Sequence, residues 1–165
     1  MNRYLPVLLV VIAVGCGKHD AKIATERETG EHTHSHERDK LLLADFGSKM
    51  HAGLTAHLSS KSGHELDVFI EAANEAHSPT PLPLAKFTAQ ARTSDGKTHE
   101  LVFEPTEMDE RKDDPPGKCS HFVAKAPWLN PAEAISLTAS IELDGKPREV
   151  TWSDFLPSKY AHHVE

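Results

Sequence analysis

The chain has 165 residues, with 18 Lys and Arg against 25 Asp and Glu, a formal charge of -7 and twelve histidines. That length allows one folded domain, and 38% hydrophobic with 6% aromatic residues allows a modest core beside a good deal of unpacked chain. The acidic balance, with no cluster of Lys and Arg, excludes nucleic acid as a partner, because displacing counterions from phosphates takes such a cluster.

The N-terminus opens with Met1-Asn2-Arg3-Tyr4, one positive charge, and continues as an apolar run from Leu5 to Val14. The run is too short to span a bilayer, which takes roughly 20 apolar residues, and with its basic start it reads as a secretory signal over residues 1–15. Ala13-Val14-Gly15-Cys16 resembles the lipobox of bacterial lipoprotein signals, with Ala13 where that family usually has Leu. The resemblance implies cleavage before Cys16 and acylation of its thiol, as with palmitate, which anchors the mature chain to the membrane on the periplasmic side. Gly17 stands where the family's inner-membrane retention rule would place Asp, so outer-membrane anchoring is favoured over inner. Removing residues 1–15 takes away Arg3 and leaves the acidic excess one unit larger. With Cys16 consumed, Cys119 is the remaining thiol and the fold is expected to stand on packing without a disulfide.

Residues 16–40 hold Ile23 as their one large aliphatic side chain and no aromatic, which predicts a flexible tether that cannot offset the entropy of ordering. Regular structure is expected over 41–156. Leu41-Leu42-Leu43 opens a short strand, and Ala52, Leu54, Ala56 and Leu58 then alternate with polar neighbours at the period of a half-buried strand. The turn Ser59 to Gly63 leads into a second alternation, Leu66, Val68 and Ile70, so the two runs predict a hairpin. After a Pro-rich connection, Ala85, Phe87, Ala89 and Ala91 alternate, and Asp95-Gly96 turns the chain into His99–Glu104. The acidic stretch Glu104 to Gly117 is expected to be a solvated loop, followed by a strand over Cys119–Ala124. Asn130-Pro131-Ala132-Glu133 predicts a capped turn of helix. Ile135, Leu137, Ala139, Ile141 and Leu143 give the longest alternation, and Asp144-Gly145 turns it into Arg148–Trp152. Residues 157–165 are expected to trail off as a polar tail. About seven short strands with almost no helical period predict an all-β fold, an antiparallel β-sandwich of immunoglobulin-like architecture, with a small open β-barrel as the alternative.

Histidine carries most of the chemistry. His32, His34 and His36 lie two apart in the tether, so in extended chain three imidazoles point the same way and can converge on zinc, copper or nickel. Tyr160-Ala161-His162-His163-Val164-Glu165 forms a second cluster, with a frayed terminus as the plainer reading. His51 and His57 share the polar face of one strand about 20 Å apart, too far to hold one ion without help from neighbouring strands. Cys119 and His121, two apart on a strand, can present sulfur and nitrogen on one face, although the His and Met that a blue-copper site adds are missing, and a buried thiol acting as a small hydrophobe is the plainer reading of Cys119. No nucleophile elbow, zinc-protease helix or phosphate loop is present, so no enzymatic activity is expected.

Taken together, the lipobox, the His-rich tether and a sandwich-like domain resemble a loosely defined group of small bacterial envelope lipoproteins. The likeness covers about residues 41 to 152 and rests on Gly47-Ser48-Lys49-Met50-His51-Ala52 and on Asp114-Pro115-Pro116-Gly117-Lys118-Cys119-Ser120-His121-Phe122. Gly53 departs from the acidic residue that often follows His-Ala in that group. The group resembles accessory proteins of heavy-metal efflux systems, which implies a metal-efflux adaptor as partner and no catalytic residue. The functional expectation is therefore binding or buffering of transition metals through the tether. The alternatives are a non-catalytic β-sandwich module that docks another envelope protein and a pH-responsive surface, since many imidazoles titrate between pH 5 and 8.

Overall fold

A computed structural model describes residues 38–111 and 113–165. The signal, Cys16 and the tether histidines His32, His34 and His36 lie outside the described residues. The fold is nearly all antiparallel β, as expected. After one 3-10 turn at Arg38–Lys40 come nine strands: β1 (Leu42–Asp45), β2 (Met50–Leu58), β3 (Glu65–Ala72), β4 (Phe87–Arg92), β5 (Thr98–Pro105), β6 (His121–Lys125), β7 (Ile135–Leu143), β8 (Lys146–Phe155) and β9 (Ala161–Val164).

The strands form one path in the order β1-β2-β3-β6-β5-β4-β7-β8, and β8 comes back beside β1, so the sheet is nearly closed. Two halves meet at one corner. β5 pairs with β4 from Thr98 to Phe103, then passes to β6 through only Glu104↔Val123 and Pro105↔Phe122. The layered packing of a sandwich and the continuous path of an open barrel are thus two aspects of one sheet.

Alternation explains most of these strands. In β4, Phe87, Ala89 and Ala91 are buried while Thr88, Gln90 and Arg92 are exposed. In β7 the buried set is Ile135, Leu137, Ala139 and Ile141. The inward set meets in one core around Trp152, Phe46, Phe103, Phe122 and Phe155, all fully buried. Trp152 also donates its indole Nε1–H to the carbonyl of Ala52 at 2.9 Å, which ties β8 to β2. The β7–β8 turn holds Asp144 at φ 52° and Gly145 at φ 71°, the two positive dihedrals that a tight Asp-Gly hairpin needs. Gly53 serves close approach instead. A Cβ there would meet the Leu43 and Leu41 side chains at 3.3 and 3.4 Å, so glycine is what lets β1 cover β2.

Three expectations are corrected. Asn130 caps a turn and not a helix: its Oδ1 accepts from the Ala132 amide and its Nδ2 donates to Glu133, but the chain enters β7 before a helical ladder starts. The strand after the acidic loop starts at His121, with Cys119 held just before it in a single bridge to Leu82. The segment expected to trail off as a polar tail contains β9, which pairs parallel to β2 through Ala56↔Ala161, His57↔His163 and Leu58↔Val164. Buried Ala161 and the stacking of Tyr160 on Phe155, ring centres 5.4 Å apart, provide the apolar contact that holds it.

Candidate functional site: a histidine-lined acidic cleft

On β2, Ala52, Leu54, Ala56 and Leu58 fill the core, so Thr55 and His57 stand on the opposite face. Register then selects their neighbours. Thr55 is opposite Asp67 and His57 opposite Glu65 on β3, Glu65 faces Lys125 on β6, and His57 faces His163 on β9. The register shift between Ala56 and His57 also brings His162 onto this face. These side chains line a cleft of about 910 Å³.

Three imidazoles gather there. Ring centres are 4.8 Å apart for His162 and His163, 5.5 Å for His57 and His163, and 5.9 Å for His57 and His162. Thr55, fully buried, donates its hydroxyl proton to the Tyr160 carbonyl. Its oxygen must therefore accept from Nδ1–H of His162, 3.2 Å away, which places the lone pair of that ring on Nε2. Burial lowers the pKa of His162 from its ordinary value, with His163, His57 and His121 adding to the effect and Asp67 opposing it, so the neutral ring is favoured.

A second group joins from β3 and β6. His121 Nε2 lies 2.9 Å from Asp67 Oδ1, and the His121 ring stacks on Phe69 at 4.1 Å. The other carboxylate oxygen of Asp67, and Nε2 of His57, are buried without a hydrogen-bond partner. Glu65 is paired with Lys125. From above, the acidic loop contributes Glu107 and Glu110, with Glu110 accepting from the Thr106 hydroxyl and lying 3.9 Å from His121 Nδ1. This loop is not simply solvated. Arg111 donates to the carbonyls of Thr106 and Lys118 at 2.8 and 3.2 Å, and Asp114 accepts from the Ser120 amide and hydroxyl at 2.7 and 2.8 Å.

The expected residues divide. His162, His163 and His121 come together in the cleft, joined by His57, whose missing help comes from β9. Cys119 does not join them. Its side chain lies in the core, with Sγ donating to the His121 carbonyl at 2.8 Å, and burial pushes its thiol pKa up. The backbone bends at Ser120, which breaks the two-residue alternation: the Cys119 side chain turns into the core while His121 lines the cleft. Thr55, Glu65, Asp67 and Glu110 were not singled out in the sequence. Asp67 had a signal, since aspartate is unfavourable in mid-strand and here lies between Leu66 and Val68, where it calls for a partner. Among the described residues, no three His, Cys, Asp or Glu side chains have their donor atoms gathered as a bound metal requires.

No family model, curated protein or solved structure matches this chain. Its function is therefore read from the cleft and the sequence patterns.

Proposed function

We propose that this chain is a lipid-anchored protein of the bacterial cell envelope that binds or buffers transition-metal ions, accessory to metal efflux or trafficking. Capture takes place on the tether through His32, His34 and His36, and anchoring through Cys16. The observation that carries the reading is that the histidine excess is organised in the folded domain as well. Four imidazoles and six carboxylates line one cleft with only Lys86 and Lys125 as cationic side chains, an environment that attracts divalent cations and repels anions. Imidazole suits zinc, copper and nickel, while hard cations prefer all-oxygen shells. Ligands on a stretch with so little apolar surface to bury pay an ordering cost on binding, which predicts an affinity on the order of micromolar and fits buffering and onward transfer better than storage. An envelope partner such as a metal-efflux adaptor would receive the ion.

Calorimetric titration of the untagged mature chain with zinc, copper and nickel tests the reading. The expected result is a weak phase that disappears when His32, His34 and His36 are all replaced by Ala. An isotherm unchanged by that triple replacement would overturn the role of the tether.

A further inference from the structure

The cleft histidines meet a geometric requirement that the tether cannot be tested against. A tetrahedral ion holding imidazole nitrogens at about 2.0–2.1 Å places the centres of its ligand rings about 5 Å apart. The three separations among His57, His162 and His163, at 4.8, 5.5 and 5.9 Å, bracket that spacing. Backbone register fixes where these rings stand: His57 and His163 are direct cross-strand partners, and the adjoining bulge swings His162 to the same side.

The hydrogen bonds are arranged as a metal site needs them. The chain from His162 Nδ1–H to Thr55 and on to the Tyr160 carbonyl sets the tautomer with the lone pair on Nε2, the usual way a ligating histidine is oriented from behind. His57 and Asp67 both line the cleft, and His57 Nε2 and Asp67 Oδ2 are buried atoms that lack a hydrogen-bond partner. Buried polar atoms are seldom left so, and a single cation would satisfy a nitrogen lone pair and a carboxylate oxygen together. Two charged neighbours are already engaged, Lys125 on Glu65 and His121 on the first oxygen of Asp67.

We infer that His57, His162 and His163 form a three-imidazole site for a divalent transition metal of the zinc class, with Asp67 as its neutralising carboxylate. Ligation turns the His57 and His163 rings about their side-chain bonds toward His162, which keeps its bond to Thr55, because the donor atoms are not gathered in the present rotamers, while the strands stay in register. The site extends the proposed metal reading to the folded domain and does not depend on the tether. Because its ligands come from β2 and β9, an ion there clamps β9 to the sheet, which no tether site would do.

The test uses the mature chain carrying His32, His34 and His36 all replaced by Ala, titrated with zinc against a chromophoric chelator. One equivalent should remain bound, and adding His57→Gln or His163→Gln, which removes a ligand itself, should weaken it by at least the roughly 10–100-fold that loss of a ligand's supporting partner costs. Zinc should also slow amide hydrogen exchange over Ala161–Val164 in the parent and not in the two Gln variants, whose zinc-free thermal melts should match the parent. Absence of zinc binding to the tether-replaced chain, full affinity in the Gln variants, or unchanged exchange in β9 would each overturn the site. Loss of a weak phase on tether replacement alone would leave the tether reading standing and this one fallen.

Discussion

Glu71 lies on β3 opposite His51, with the Arg38 guanidinium 3.6 Å from its carboxylate. Burial raises its pKa above the ordinary carboxylate value, against the lowering influence of Arg38, His77 and His51. The sign of the consequence follows from linkage. Between the ordinary carboxylate pKa and the raised folded value, the folded chain holds a proton that the unfolded chain has released, so stability falls as pH rises through that window and stays lower above it. Glu71→Gln is expected to raise the thermal midpoint at pH 7, with the gain vanishing below about pH 4, where the glutamate is protonated in both states. Melts across pH 3 to 8 would show it, and a destabilised variant at pH 7 would mean that the Arg38 pair outweighs burial. The same reasoning about partners applies in the cleft. An aspartate inside a strand is costly until a neighbouring strand supplies a proton donor, and His121 supplies it here.

At the scale of elements, β9 is the least expected and the most consequential. The alternations of β4 and β7 were legible because five or more residues repeat a period of two, and the Asp-Gly turns marked where they reverse. The four residues Ala161-His162-His163-Val164 show no such repeat, and their partner strand lies about a hundred positions earlier, so local pattern could not announce the pairing. The candidate site was half legible for the same reason. His162, His163 and His121 stood out along the chain as separate candidates, and only the registers of β2 with β3 and β9, and of β3 with β6, bring them together with His57 and Asp67. Ending the chain at Tyr160 should remove the backbone bonds between Glu165 and both Leu58 and Ser60, together with the burial of Ala161. A loss of about 2–3 kcal/mol is expected from denaturant titration. The uncovered edge of β2 from Ala56 to Leu58 should also promote association at high concentration, visible by sedimentation. An unchanged denaturation midpoint would show that β9 adds nothing to the folded state.

For the whole molecule, the narrow β5–β6 corner raises the question of whether the two halves unfold apart. Phe87 on β4 stacks on Phe103 of β5 at 4.8 Å and meets Phe122 of β6 edge-on at 5.2 Å, so aromatic packing crosses the corner where backbone pairing is thin. One core cluster contains residues of both halves. A single cooperative transition is therefore expected, with far-ultraviolet dichroism and tryptophan fluorescence coinciding. Phe122→Ala should lower stability by about 3–5 kcal/mol without separating the two signals, and two resolved transitions would show that the halves are independent. The edge of β2 is shared end to end by two strands, β1 over Gly53 and its neighbours and β9 beyond Ala56. The four rungs of β1, from Leu42↔Leu54 to Asp45↔His51, include no residue of β9, so the leading segment and the strand that carries His162 and His163 hold separate stretches of one β2 edge.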